Sequence, residues 1–343
     1  MMRVGALQAH VFRPVFLSGR LCLVLLLLFG ADSLTSLSGR QLEHEGRRYL
    51  DLASVGKRLG MQSYWLRGHK TFRLRSQWTT IDALKKSKLL YINRMPVYLG
   101  FPTVESGGRL YLAEADFQHV IQPILTPQVF RSRPGLKRIA IDAGHGGKDH
   151  GAENKAHGLK EKTLTLEVAN RLKVLLERRG FEVVLTRNSD DYIPLAQRPQ
   201  RADRLKADLF ISIHFNAAES KAAAGLETFA LTPQFQASSK YARPTSKDST
   251  RYTGNNQDPW NTLLAYHVQR GLVSRIGGPD RGVKRARFMV LKELDCPAVL
   301  VEMGFVSHAQ TAQKLHSAAY RQMLAQSLYD GILAYRERLV RLQ

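Results

Sequence analysis

Short apolar runs that end on a chemically active side chain recur through the second half of this chain. Ile139, Ala140 and Ile141 suit a buried strand, and Asp142-Ala143-Gly144-His145-Gly146-Gly147 follows at once. Glycines on both sides of one histidine let the backbone turn sharply and keep the imidazole clear of neighbours. Residues 164–179 carry Leu164, Val168, Leu172, Leu175 and Leu176 at helical spacing, and Gly180 stops the helix. Residues 181–186 read as a strand and 195–206 as a helix. Residues 208–214, DLFISIH, form a second apolar strand that ends on a histidine. Residues 225–231 suit a further strand, 235–259 a long polar loop, and 261–276 a helix closed by Gly277-Gly278-Pro279. Residues 298–302, AVLVE, make a third buried strand, ending on a glutamate, and 318–342 a closing helix. Strands alternating with helices predict an α/β layered sheet with helices on both faces. In such sheets sites lie at the carboxyl ends of strands.

The first half has a different rhythm. Residues 49–52 suit a strand and 53–59 a short helix; residues 71–75, TFRLR, alternate as a half-buried strand does. Residues 89–92 and 97–101 flank Asn93-Arg94-Met95-Pro96 with hairpin-like spacing. Gly107-Gly108 precedes a strand at 109–112, and 113–121 looks helical. This predicts a small α+β domain over residues 39–125 in which no catalytic residues gather. Residues 126–136, with Pro127, Pro134 and Gly135, read as a linker to a second domain at 137–343.

At the amino terminus, Arg3, Arg13 and Arg20 precede the apolar run at residues 21–30. The run is short for a membrane span and right for a secretory signal over residues 1–31, so an exported protein is expected. The alternative is an uncleaved anchor. Composition narrows the partners. The formal net charge is +22, divided evenly between the halves, which favours an anionic neighbour such as a cell wall, a membrane surface or nucleic acid. Two cysteines, Cys22 and Cys296, exclude a disulfide framework and a cysteine-rich zinc site. Cys296 is expected to be a small buried hydrophobe.

Three strand ends in one sheet, His145, His214 and Glu302, can bind metal or move protons. If the strands are parallel neighbours, the three side chains meet at one edge. Glu161, ahead of the long helix, could complete a His–Glu–His set that binds zinc and leaves a position for water. A carboxylate there could equally be stabilising the helix dipole. Arg281, Lys284, Arg285 and Arg287 form either a solvated basic face or a contact for carboxylates of a peptide or glycan. His157, His267 and His316 read as surface residues.

The blocks IDAGHGGKDHGA, GLKEK, LFISIHFNA and AVLVEMGFVS, in that order from residue 141 to 307, resemble the zinc-dependent N-acetylmuramoyl-L-alanine amidases of the Amidase_3 group. The resemblance implies that His145, Glu161 and His214 bind Zn2+ and that Glu302 is the catalytic carboxylate. It implies hydrolysis of the amide between N-acetylmuramic acid and L-alanine, with peptidoglycan as partner in the periplasm or cell wall. His150 stands where the family usually has proline, and His308 where asparagine is usual. Residues 217–260 show no long helical insertion of the kind that blocks the site in regulated members. In the first half, DLASVGKRLG, YINRMPVYLGFP and GGRLYL resemble the copper amine oxidase N-terminal-like domain, which implies a targeting module and no copper. Two rivals remain. A wall-binding protein without catalysis fits poorly with the intact Glu302. A nucleic-acid binder fits poorly with evenly spread charge and no recognisable nucleic-acid motif.

Overall fold

Alternating buried and half-buried side chains build the first part of the chain mainly from strands. The computed structural model describes residues 40–342, and the expected export signal at residues 1–31 lies outside them. β1 (Gln41–His44) and β2 (Arg47–Asp51) form a hairpin, followed by α1 (Leu52–Arg58). Asp51 caps α1, its carboxylate accepting from the Ala53 and Ser54 amides. β3 (Gln62–Trp65), β4 (Thr71–Arg75), β5 (Thr80–Leu84), β6 (Leu89–Ile92) and β7 (Met95–Tyr98) make an antiparallel meander. The β6–β7 turn is the pair Asn93-Arg94, at φ 51° and 72°. Such a two-residue turn with positive φ matches the twist of its strands. The sequence suggests a longer turn through Pro96; Pro96 instead lies inside β7, opposite Tyr91.

β8 (Val104–Ser106) and β9 (Arg109–Ala113) return to pair with β2. The helix expected at 113–121 is broken into α2 (Glu114–Asp116), a wide π turn over Phe117–Ile121, and α3 (Gln122–Leu125). Pro123 has no N–H to give the helix. The His119 carbonyl, four residues back, accepts instead from Thr262 Oγ1 at 2.9 Å and Arg285 Nη2 at 2.8 Å.

The second part runs β10 (Arg138–Ala143), β11 (Glu153–Asn154), β12 (Leu159–Lys160), α4 (Glu161–Arg178), β13 (Glu182–Leu185), α5 (Gln197–Arg204), β14 (Leu209–Asn216), β15 (Leu226–Leu231), α6 (Asp258–Ile276), β16 (Asp280–Ala286), α7 (Met289–Lys292), β17 (Ala298–Phe305), α8 (Ala309–Leu315) and α9 (Ala318–Val340). β13, β10, β14 and β17 are parallel neighbours, which meets the condition for His214 and Glu302 to lie together at one edge. β15 joins β17 antiparallel, and β16 joins β15. The sheet is therefore mixed. Helices cover both faces. Gln269 of α6 reaches Thr228 Oγ1 on one face. On the other, Ala202 of α5 and Val290 and Leu291 of α7 pack with Phe210 and Leu300. Cys296 is buried in that second cluster as a free thiol.

Two features depart from the sequence reading. β16 was not expected; its charged residues disguise it. The boundary at residues 126–136 is also not a break. β7 pairs with β16 at Val97–Val283, so one eleven-stranded sheet runs β13-β10-β14-β17-β15-β16-β7-β6-β5-β4-β3. Residues Gly39–Gln343 form one compact unit. Within the expected linker Pro127 is buried, and the Phe130 ring meets Trp260 edge-on at 5.9 Å. A fragment of residues 137–343 would leave β16 as an open edge and Arg285 without the His119 carbonyl. Its stability should fall by at least the ~1.5–3 kcal/mol of one hydrogen bond to a charged group. Urea unfolding of fragment and chain checks this; equal midpoints would mean that the two parts are independent.

Candidate metal centre

The site grows from the end of β10. After Ala143 the chain must pass close under β14, and Gly144 N–H donates to the Ile213 carbonyl at 3.1 Å. A side chain at 144 would collide with the His214 ring, an added Cβ lying 2.3 Å from its Cε1. His145 adopts φ 63°, so the turn throws its imidazole toward the strand end. Gly151 gives the second clearance: a Cβ there would meet Glu161 Oε2 and His145 Cδ2, each at 2.6 Å.

Glu161 opens α4 and is buried. Its Oε1 lies 3.1 Å from His145 Nε2 and 2.9 Å from His214 Nδ1. The Phe215 N–H donates to Oε1 at 3.0 Å and the Ala152 N–H to Oε2 at 2.7 Å. Burial opposes the charge on this carboxylate. The hydrogen bonds and charges of His145 and His214 outweigh it and hold the pKa well below the usual carboxylate range. The two imidazoles sit edge to face, centroids 4.9 Å apart.

These three side chains each offer one donor, and the donors lie within 4.8 Å of one another. The spacings of 2.9 and 3.1 Å are close to the roughly 3.3 Å edge of a tetrahedron built on ~2.0–2.1 Å zinc bonds. Nitrogen–oxygen–nitrogen donors at that spacing, with glycines clearing the approach, fit a zinc-type cation. Asp149 Oδ2 stands 2.9 Å from His145 Nδ1, where it can orient the ring.

Glu302 completes the edge. Cross-strand register puts it beside His214 on one side and Glu227 on the other. Its Oε2 is buried with no hydrogen-bond partner. Burial first, then the charges of Glu161 and Glu227, push its pKa well above the ordinary value. Glu227 is itself satisfied: Arg281 Nε donates at 2.8 Å, Lys284 Nζ at 2.5 Å and Asn216 Nδ2 at 2.8 Å.

Beneath the turn lies a buried ionic layer. Asp142 accepts from Arg198 Nη1 at 2.9 Å, Thr186 Oγ1 at 2.6 Å and Ser212 Oγ at 2.7 Å. Burial alone would raise its pKa, but Arg198 and the two hydroxyls bring it below normal. Arg198 also donates to the His145 carbonyl, and Arg187 to the carbonyls of Ala143 and Gly144. Two arginines thus hold the main chain that carries His145. Arg198→Ala would strand the Asp142 charge in the core, at a cost of about 3–5 kcal/mol. A chemical denaturation curve measures it; a loss under 1 kcal/mol would mean that the layer is not structural.

The other residues singled out in the sequence fall apart from this group. His150 pairs with Glu153 Oε1 at 2.5 Å. His308 caps α8 and accepts from the Thr311 amide. His157 and His316 lie ring to ring at 5.6 Å. His267 is not a free surface residue: it is half-buried in α6, and burial takes its pKa down to about 4. The basic cluster is not a solvated face. Arg281 and Lys284 hold Glu227, the buried Arg285 bonds the Leu231 and His119 carbonyls and Thr262, and Arg287 bonds Asp248. Sequence reasoning missed Glu227, Asp142, Arg187 and Arg198. The only signal for Glu227 was its place near the start of a predicted strand.

Comparison with known proteins places this arrangement. The family model described as N-acetylmuramoyl-L-alanine amidase, Amidase_3, matches residues 139–334. N-acetylmuramoyl-L-alanine amidase LytC of Bacillus subtilis is 37% identical over 197 residues, 57% of this chain and 35% of that relative. AmiC of Escherichia coli is 35% identical over 226 residues, covering 60% of this chain and 54% of the relative. AmiA of Escherichia coli is 30% identical over 222 residues, which is 59% of this chain and 76% of the relative. The chain spans about a third of LytC and half of AmiC. With that match over more than half of its length, the chain belongs to the Amidase_3 family of N-acetylmuramoyl-L-alanine amidases.

Proposed function

We propose that this protein is an exported, zinc-dependent N-acetylmuramoyl-L-alanine amidase. It hydrolyses the amide between the lactyl group of N-acetylmuramic acid and L-alanine in peptidoglycan, releasing stem peptides. One observation carries the reading: a buried carboxylate oxygen of Glu302, without a partner, stands in register beside a convergent His–Glu–His donor group. His145, Glu161 and His214 would hold the zinc. When bound there, zinc supplies a lowered water pKa and a polarised amide carbonyl.

Glu302 takes the proton of the attacking water and then delivers it to the leaving amine of L-alanine. Asp149 beside His145 Nδ1 and the Phe215 and Ala152 amides on Glu161 would hold the ligand set in place, and the Arg187–Arg198 layer fixes the turn below. Residues 39–125 would serve wall attachment, in keeping with their resemblance to the copper amine oxidase N-terminal-like domain. Among the described residues no helix is long and apolar enough to cross a membrane.

The test is release of new α-amino groups from purified peptidoglycan. Release should stop with a chelator and return when zinc is restored. Undiminished release in the chelator would refute zinc dependence.

A further inference from the structure

The eleven-stranded sheet carries one face past the candidate site and out along the N-terminal strands. Side chains of neighbouring strands in register share a face. His214 of β14 lies beside Glu302 of β17, and Glu302 beside Glu227 of β15. Lys284 of β16 is ion-paired to Glu227, and its Nζ also sits 5.6 Å from the centroid of the Tyr98 ring on β7. Tyr98 pairs with Leu89 of β6, which shares its face with Tyr91 two residues on. From Tyr91 the row continues to Asp82 of β5, Arg73 of β4 and Tyr64 of β3. The face is thus traced strand by strand from Glu302 to Tyr64. At ~4.8 Å per strand it extends about 19 Å from β17 to β6 and about 34 Å to β3, winding with the sheet twist.

The two sides of this extension differ. Phe72, Leu74, Ile81, Ala83, Leu90, Ile92 and Val97 are buried on one side. On the other, Arg73, Asp82, Tyr91, Pro96 and Tyr98 are half-buried and Tyr64 is 37% exposed. Arg73 and Asp82 form a bidentate pair, both contacts at 2.7 Å, so neither charge seeks a further ion. What remains is tyrosine rings and hydroxyls around a neutralised planar pair. Flat rings with polar edges suit a partner that is apolar on its faces and rich in hydroxyls at its rim. Beyond the row, the β4–β5 turn carries Trp78, 72% exposed.

We infer that the outer face of β3–β7 is a subsite for the polysaccharide strand of the substrate. It would seat sugar rings on Tyr91 and Tyr64 while the strand's muramoyl amide lies at Glu302. The occupant follows from continuity: the face begins at the proposed catalytic carboxylate, and the bond proposed for cleavage hangs from a sugar. The inference rests on the proposed function for that geometry. It gives the wall attachment proposed for residues 39–125 a definite place, a share of the substrate groove on β3–β7.

The test uses the full chain, with Tyr64→Ala and Tyr91→Ala combined. Two substrates separate the effects: peptide-free glycan strands for binding, and a muramoyl peptide with one muramic acid for hydrolysis. Binding of the glycan strands should weaken about tenfold or more, because a few aromatic anchors dominate such interfaces. Hydrolysis of the short muramoyl peptide should be unchanged, which also reports an intact fold. Tyr64→Phe with Tyr91→Phe should retain most of the binding, since the rings remain. Equal glycan binding by the alanine variant and the parent overturns the inference, as does a parent chain that binds no glycan. Binding of glycan without any hydrolysis of the muramoyl peptide would refute the amidase reading and leave the subsite standing.

Discussion

Glu302→Gln should lower amide hydrolysis by about 10²–10⁴-fold, the usual worth of general acid–base catalysis, and leave zinc content unchanged. Glu302 sits in β17 between Val301 and Met303, both fully buried, so glutamine can occupy the same volume without moving the strand. The change removes the proton acceptor and keeps the shape. It also removes one of three clustered carboxylates, with Glu161 and Glu227, so the fold should not suffer. Steady-state hydrolysis of a muramoyl peptide and metal analysis on the same sample check both halves. Loss of zinc with activity would make Glu302 a ligand. Near-normal turnover with zinc retained would remove it from the mechanism.

His214→Ala should release most of the zinc and abolish activity, while the protein stays folded. Loss of an outer partner of a metal ligand already costs about 10–100-fold in affinity, and loss of the ligand itself should exceed that. β14 remains paired on both sides, and its flanking Ile213 and Phe215 stay buried. Metal content by mass spectrometry, with thermal unfolding as the control, is the measurement. Full zinc occupancy in this variant would show that the ligand set is wrong.

His145, His214 and Glu302 were legible in the sequence because each lies at or just past the end of a mainly apolar run, AVLV before Glu302 being the unbroken case. The polar residues inside the other two runs, Asp142 and Ser212, are buried and bonded to each other, so they do not mark the edge, and β14 and β17 continue to Asn216 and Phe305. Glu161 was ambiguous for a physical reason: a helix-opening carboxylate looks the same whether it answers the helix dipole or a histidine. Only the fold brings His145 and His214 onto one oxygen of it.

β16 was illegible because its charges are satisfied by distant residues. Arg281 and Lys284 meet Glu227, and Arg285 meets the His119 carbonyl freed by Pro123. Sequence shows a charge and not its partner, so a buried strand read as a basic patch. The continuous sheet was hidden for the same reason, since the single β7–β16 register leaves no local pattern. Arg198 and Arg187 carry no local signal, because their partners, Asp142 and the carbonyls of residues 143–145, lie far away in sequence.

The most direct test of the central claim is mass analysis of the fragments that the purified protein releases from peptidoglycan. The account predicts free stem peptides that begin with an unblocked L-alanine, beside glycan strands with intact lactyl groups. Fragments in which the muramoyl–alanine bond survives, cut instead between sugars or within the peptide, would contradict it.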